Sequence, residues 1–498
     1  MERKRILTII QIVALVLQFV AEAAICVIVL QLNILPAKYL SILLGVMALL
    51  LAGSSLFAFV KVRSKVSLWR RIVSCVLALL IAIGCAAVFK MALDAYNLLD
   101  NATGEVSNSR DIYVLVRKED PAQSLKDTKQ YQFGALQNYD TEFTKQMIAA
   151  IEKETEQPIA LTYYQQSADL ANAIKDHSVD AIIANGVTLS LLTEQEAYAN
   201  FLEHVRILHT LTYTEESKDE PDEEFNITKT PFALYISGSD TRGKKLNVSR
   251  SDVNILAVIN PVTKQVLLVN TPRDTLVPNS SGDGALDKLT HCGNYGIDCS
   301  MDALESLYDV DISYYGKINF YGFEAFIDAI GGITVHSDQA FTTNEGIYIK
   351  KGENKLNGEQ ALSFSRDRKH VSGGDHTRGK NQMRVIQAVI EKVSSSKTLI
   401  SKYADILDSL EGMLATNLTL EDVSALVKMQ LGDMASWNVQ SYAITGKGDM
   451  QLTYSDPGKK LSVMWPNEDA VAYANTLIAK VTDGEVLTEA DMTMPEKD

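Results

Sequence analysis

Apolar positions are massed at the start of the chain. Three stretches, at about 6–32, 38–60 and 70–93, each approach or exceed the roughly 20 residues that cross about 30 Å of hydrocarbon as a helix. Arg3, Lys4 and Arg5 precede the first, and Lys61, Arg63, Lys65, Arg70 and Arg71 join the second to the third. Both basic segments belong on the cytoplasmic side, which makes the Asn33, Pro36 and Lys38 connector external and sends everything after about Leu93 outward. A cleavable signal is the competing reading of the first stretch. Its small-residue triplet, Ala21-Glu22-Ala23, runs on into apolar Ala24–Leu30, and two more spans follow. Glu22 is expected to face another helix and Lys90 to snorkel.

Past this anchor the period changes. Asp111–Val116, Pro158–Tyr163 and Asp180–Ile183 read as strands, with helical patterns at Thr141–Glu154 and Ala168–Lys175, so residues 94–213 form a small α/β domain. It carries no catalytic constellation, and dimerisation or partner contact is the role left to it. An acidic run at 214–230 reads as a solvated linker. Then come the strand Phe232–Ser237 and a hairpin, Val253–Ile259 with Val266–Val269, turned at Asn260-Pro261-Val262-Thr263-Lys264. Leu362–Arg368 alternates as a strand would, with Arg366 and Arg368 on the side of Leu362 and Phe364. A helix follows from about Thr377 to Val393, with Met383, Ile386, Val389, Ile390 and Val393 as its apolar stripe. Gly331-Gly332 separates an aromatic-rich segment, Ile312–Ile330, from the strand Ile333–Val335.

Charge narrows the partners. The chain carries a formal net charge of −15 although its cytoplasmic ends are basic, so the outer portion is acidic and no nucleic acid is expected to bind. Cys26, Cys75 and Cys85 lie in the spans. Cys292 and Cys299 form an outer pair for which a short-loop disulfide and two free thiols are both open, and one adjacent His291 does not complete a zinc site.

Polar residues at the element ends supply the candidate chemistry. Asp240 and Arg242 follow one strand, Asp252 opens the next, and Arg273 and Asp274 end the hairpin. Solvent-facing strand ends favour such residues on backbone grounds alone. Arg366, Arg368, Arg378 and Gln382 make a stronger case. Arg378 falls in the first turn of its helix, where it opposes the macrodipole unless an anion docks there, and Gln382 lies one turn further on the same face. The four converge as donors for a phosphate or pyrophosphate. Beside such a site, Phe320, Tyr321, Phe323 and Phe326 are either ordinary core or one wall of a lipid groove.

These stretches together carry a resemblance. ISGSDTRG at 236–243, SRSDVNILAVINP at 249–261, NTPRD at 270–274, DKLTHCGNYG at 287–296, FYGFEAFIDAIGGI at 320–333 and the run from SFSRDR through TRGKNQ resemble the LytR–CpsA–Psr family of Gram-positive cell-envelope proteins. Three spans and an accessory domain resemble its CpsA-like branch. The resemblance implies an α/β/α sandwich with a mixed sheet at 231–400, followed by a helical extension and tail at 401–498 packed on it, with 1–93 as the membrane domain. It implies a phosphotransferase that moves a glycopolymer, capsular polysaccharide or teichoic acid, from polyprenyl pyrophosphate to peptidoglycan. Membrane lipid and other capsule or wall assembly proteins are further partners in that picture. Asp240 and Asp252 would hold Mg²⁺ or Mn²⁺, and Arg273, Arg366, Arg368, Arg378 and Gln382 would ligate the pyrophosphate, with Asp240, Asp252, Arg273, Arg366 and Arg368 as the catalytic set. Asp274, His291 or a metal-bound carboxylate would deprotonate the acceptor. A pyrophosphate hydrolase using the same site and a regulator or scaffold that only binds lipid-linked glycan are the alternatives. The short basic cytoplasmic segments hold no helix-turn-helix.

Overall fold

A computed structural model describes residues 2–59, 68–103, 108–137, 141–193, 195–215, 225–239, 249–282, 284–394, 413–456 and 458–495. Helices α1 (Glu2–Leu32), α2 (Ala37–Phe59) and α3 (Leu68–Thr103) come first. Within them Ile6–Leu32, Ala37–Phe59 and Trp69–Lys90 are long and apolar enough to cross a membrane. Their mutual packing buries polar groups. Glu22 is 4% exposed and accepts from Gln18 Nε2 at 2.7 Å, Gln18 Oε1 accepts from Ser54 Oγ at 2.7 Å, and Ser74 Oγ donates to the Ser54 carbonyl at 3.0 Å. The first bond lies within α1; the Gln18–Ser54 and Ser74–Ser54 bonds run between helices and hold them together where lipid is as apolar as the side chains.

The accessory domain is a five-stranded sheet, β1 (Asn108–Arg117), β2 (Gln132–Leu136), β3 (Ala160–Tyr164), β4 (Ala181–Asn185) and β5 (Val205–Glu215), in the order β3-β2-β4-β1-β5. Helices α4 (Thr141–Thr155), α5 (Ser167–Lys175) and α6 (Gly186–Thr193) and the single turn α7 (Phe201–His204) connect its strands. β2 and β5 are added by the structure, although Leu211-Thr212-Tyr213-Thr214 of β5 alternates as a strand does. Val187 and Leu191 of α6 join the core of the following domain, so the two domains pack directly.

That domain is built on a six-stranded mixed sheet. β6 (Phe232–Ser239), β7 (Val253–Asn260) and β8 (Gln265–Asn270) form an antiparallel meander, and β11 (Tyr314–Asn319) lies parallel to β6. Between them come the two-stranded β9 (Leu276–Asn279) and β10 (Ala285–Lys288), the single turn α8 (Leu289–Cys292) and helix α9 (Ile297–Tyr308). Then follow α10 (Phe320–Ala329), strands β12 (Ile333–Ser337), β13 (Phe341–Thr342), β14 (Tyr348–Ile349) and β15 (Gly352–Leu356), and helices α11 (Gly358–Arg366) and α12 (Gly374–Val393). The C-terminal part supplies β16 (Leu414–Thr416), α13 (Leu420–Asp433), β17 (Asn438–Ala443), β18 (Gly446–Gln451), β19 (Leu461–Pro466) and α14 (Glu468–Thr482). The sheet order is β16-β11-β6-β7-β8-β17, so both flanking strands come from beyond residue 400. The boundary drawn there in the sequence thus falls inside one sheet. Helices α9 and α14 cover one face through Leu304, Tyr308, Ala474 and Leu477, and Met383 of α12 packs on the other against Ile255, Ala257 and Leu268. The result is an α/β/α sandwich.

The segment read as a strand at Leu362–Arg368 is helix α11 instead. Asn357 caps it, its Oδ1 accepting from the Gln360 N–H at 2.9 Å while Gln360 Oε1 accepts from the Asn357 N–H at 3.1 Å. Ala361, Leu362, Phe364 and Ser365 are all buried, which over so short a run fits a helix wedged between two layers as well as a strand. Its entry is tight, because a Cβ on Gly358 would strike the backbone of Glu324 in α10. Gly358→Ala is expected to cost about 1–3 kcal/mol by prying α11 from α10. Thermal unfolding of the detergent-solubilised protein would show it as a lowered midpoint, and an unchanged midpoint would mean that the two helices are free to part.

Candidate functional site

Asp252 is held at the amino end of β7 by a buried polar set. Ser251 Oγ donates to the Val253 carbonyl at 2.8 Å and lies 2.8 Å from Ser237 Oγ, while Tyr235 Oη donates to Asn254 Oδ1 at 2.6 Å. The Asp252 N–H donates to the Gly238 carbonyl at 2.8 Å. From the carboxyl end of β8, Arg273 then reaches back, and its Nη1 donates to Asp252 Oδ1 at 2.6 Å. Gly293 closes the loop from behind, since a Cβ there would press on the Ser251 N–H and the Ser249 carbonyl.

Helix α12 brings the next guanidinium. Gly379 lets it approach β8 so closely that a Cβ would collide with the Asn270 amide, and its neighbour Arg378 is thereby set over the end of the sheet. Arg378 is not in the first turn, as the sequence reading has it. Gly373, at φ +87°, starts α12 a turn earlier than the apolar stripe suggests. Asp375 occupies that first turn, satisfies the macrodipole, and meets Arg378 Nη2 at 2.7 Å. Arg378's charge is under strain. Burial lowers its pKa, Asp375 resists, and Arg273 and Arg368 push it down further, so three guanidinium groups share one field. Two of their donors, Arg273 Nε and Arg378 Nε, are buried with no hydrogen-bond partner among the described residues. An oxyanion would satisfy both.

Arg366 and Arg368 reach the same place by a different route from a shared strand face. Arg366 closes α11, stacks over the Phe320 ring at 4.4 Å and lies 4.0 Å from Glu345, whereas Arg368 is exposed in the loop after it. Asp367, between them, is buried at the same lining and meets His370 Nδ1 at 2.8 Å.

Behind these residues opens a cavity of about 940 Å³ between the sheet and helices α10, α12 and α13. Asp252, Arg273, Arg366, Arg368, Arg378 and Gln382 line one end, with Arg250, which the sequence reading passes over although it stands beside Asp252 in SRSD. The remainder is apolar: Leu234, Ile236 and Ile318 from the sheet, Ile386, Val389 and Val393 from α12, Leu426 and Met429 from α13. Phe320, Phe323 and Phe326 also line it. Tyr321 does not, being 48% exposed on the outer side of α10.

Several expectations fall elsewhere. Asp240 and Arg242 lie outside the described residues. His291 is not placed as a base, because it is buried with Nδ1 2.8 Å from Asp287 Oδ1 and away from the cavity lining. Cys292 and Cys299 are buried free thiols, Cys299 Sγ donating to Asn279 Oδ1 at 3.3 Å. Among the described residues no group of three or more His, Cys, Asp or Glu could hold a metal, so a cation here would depend on Asp252 with ligand oxygens.

With this geometry in view, the LytR_cpsA_psr family model matches residues 204–468. The chain belongs to the LytR_cpsA_psr family. A relative from Bacillus subtilis (strain 168), the polyisoprenyl-teichoic acid–peptidoglycan teichoic acid transferase TagU, is 36% identical over 232 residues, covering 45% of this chain and 74% of its own. The protein of the same name from Halalkalibacterium halodurans is 31% identical over 277 residues, 54% of this chain and 89% of its own. The crystal structure of B. subtilis TagV aligns at 27% identity over 51% of this chain and 98% of its own, with a TM-score of 0.43. For this member of the LytR_cpsA_psr family, the match takes in the arginine cluster, the cavity and both outer strands of the sheet.

Asp274, next to Arg273, belongs to the frame of the site. Burial raises its carboxyl, but Lys288 Nζ at 2.5 Å and the nearby Arg273 and Arg378 outweigh that and hold it below the ordinary carboxylate range. A lowered carboxylate stabilises the fold above its ordinary value of about 3.9, and that contribution is lost as pH falls through the lowered value. Lys288→Met should therefore remove about 1–3 kcal/mol at pH 7, and the deficit should shrink as the pH drops below about 4. Urea unfolding at the two pH values checks this, and a deficit independent of pH would assign it to lost packing.

Proposed function

We propose that this protein is a membrane-anchored phosphotransferase that moves a glycopolymer from polyprenyl pyrophosphate onto peptidoglycan. The observation that carries the reading is one cavity with clustered guanidinium groups at its head, two of whose buried Nε donors make no hydrogen bond among the described residues, and a largely apolar interior behind them. That is the shape of a diphosphate joined to a long hydrocarbon. In this reading the tail lies along Phe323, Phe326 and the α12 stripe, and the diphosphate meets Arg273, Arg366, Arg368, Arg378 and Gln382. Family membership and the names of the relatives support it.

The reaction needs positioning and charge neutralisation more than covalent help. An acceptor hydroxyl oxygen attacks the glycan-bearing phosphorus, the pyrophosphate bridge breaks, and polyprenyl phosphate leaves, taking up the proton that the hydroxyl gives up. The guanidinium groups take up the charge that collects on the departing phosphate. Asp252, with Asp240, is the proposed holder of Mg²⁺, which when bound supplies further charge neutralisation of the diphosphate. Asp252 suits this because it lines the cavity beside Arg273. The basic segments flanking the spans support an outward-facing catalytic domain, as the acceptor requires. The polymer itself, capsule or teichoic acid, belongs to the same proposal.

Arg368→Ala should weaken polyprenyl pyrophosphate binding about ten- to a hundredfold, the worth of one charge-assisted bond of roughly 1.5–3 kcal/mol, and leave the thermal midpoint unchanged or higher. Asp252→Asn should stop glycan transfer while much of the lipid binding persists. Both variants are measured for lipid binding and for transfer onto peptidoglycan fragments. Normal transfer by Asp252→Asn removes the metal role, and unchanged binding by Arg368→Ala returns that residue to plain surface.

A further inference from the structure

The carboxyl end of β17, where Ala443 pairs with Asn270, leads straight into the ribbon formed by β18 and β19. This ribbon is fastened to the turn that carries Arg273. The Met464 N–H donates to the Asp274 carbonyl at 2.8 Å, and Thr275 bridges Met464 as a strand partner. Among its residues Val463 is buried and anchors it. Most of the rest faces solvent, which is unusual for two strands that are marginal on their own.

One face of the ribbon has a specific chemistry. Register sets Lys447 opposite Trp465 and Asp449 opposite Val463, so Lys447, Asp449, Gln451 and Trp465 share a side with the buried Val463, which seats that side while Lys447, Asp449 and Trp465 stay exposed around it. Trp465 is 40% exposed, its Nε1–H donates to Asp449 Oδ2 at 3.2 Å, and Gln451 Nε2 donates to the same oxygen at 2.6 Å. The indole is thus tied by its edge to a carboxylate that also holds the Gln451 amide, with Lys447 opposite it in the register. A pyranose fits such a surface: its C–H face covers the ring, while hydroxyl, amide and carboxylate substituents reach the polar rim. A protein partner would call for a wider apolar patch. A bilayer is placed elsewhere, because α13, at the far end of the cavity, packs on the anchor, with Lys428 Nζ donating to Asn33 Oδ1 at 2.9 Å. The ribbon leaves from the opposite, arginine-bearing end of the sheet.

We infer that the β18–β19 ribbon is the platform for the acceptor, a polysaccharide strand stacked on Trp465 and hydrogen-bonded to Asp449, Gln451 and Lys447 beside the Arg273 turn. The inference rests on the transferase reading and adds where the second substrate lies. Trp465 acts by positioning the strand.

The test uses the full-length protein in nanodiscs and peptide-free glycan strands prepared from peptidoglycan. Trp465→Ala should weaken glycan binding at least about tenfold, and Trp465→Phe, which keeps a ring, by less than about threefold. The KM for acceptor should rise in Trp465→Ala with kcat at saturating acceptor and polyprenyl pyrophosphate binding unchanged. Wild-type glycan affinity in Trp465→Ala overturns the platform while leaving transfer by the wild type intact. A wild type that yields only hydrolysis overturns the transferase reading, and the platform with it. Quenching by brominated lipid that disappears in Trp465→Phe would put the ribbon in the membrane and also overturn the inference.

Discussion

Guanidinium groups crowded into a half-buried pocket repel one another unless something anionic stands between them, and most of this structure can be understood as the means of keeping them there. Asp252 neutralises Arg273 and Asp375 neutralises Arg378. That leaves positive charge and two buried Nε donors unanswered at the head of the cavity. The elements that hold them are rigid: a strand end, a helix packed against it at Gly379, and a loop braced by the Tyr235, Ser237, Ser251 and Asn254 hydrogen bonds. On the proposed function the site grips a diphosphate, and such elements carry a fixed set of donors better than a loop does.

The cavity is as much a product of the sheet as of the helices. β7 offers Ile255, Ala257 and Ile259 on one side and Leu256 and Val258 on the other, so a single strand serves the α9–α14 core and the apolar space beneath α12. Helix α13 closes the far end and also packs on α1 and α3, which sets the tail end of the cavity at the membrane anchor. Inside the anchor, the Gln18, Glu22 and Ser54 bonds give α1 and α2 a fixed register beneath that floor.

Much of this was legible in the sequence because the signals were long or chemically unusual. The spans, the β6–β8 meander and the stripe of α12 each follow one period over many residues. The arginines, Gln382 and Asp252 stand out by type, and the structure brings them to one mouth although the local geometry differs for three of them, Arg366, Arg368 and Arg378. Leu362–Arg368 reads as a strand because seven residues that alternate by chance look the same as a short buried helix, and only the Asn357 cap separates the two. The apolar stripe sets Arg378 too near its helix terminus because the polar turn from Gly374 to Thr377 carries no apolar mark. β16 and β17 cannot be placed from sequence, since each flanking strand is defined by a partner far away in the chain, Thr416 by Gly316 and Asn438 by Gln265. Arg250 is the residue the sequence could have yielded, lying two positions before Asp252.

The central claim is that the cavity is built for a diphosphate on a long hydrocarbon chain. It is tested most directly by native mass spectrometry of the protein extracted from its membrane in mild detergent. A bound species with the mass of a polyprenyl phosphate or pyrophosphate, present in the wild type and lost when Arg273 and Arg378 are both replaced by alanine, is the predicted result. A protein that carries no such lipid, or that carries it equally well without those two arginines, would contradict the account.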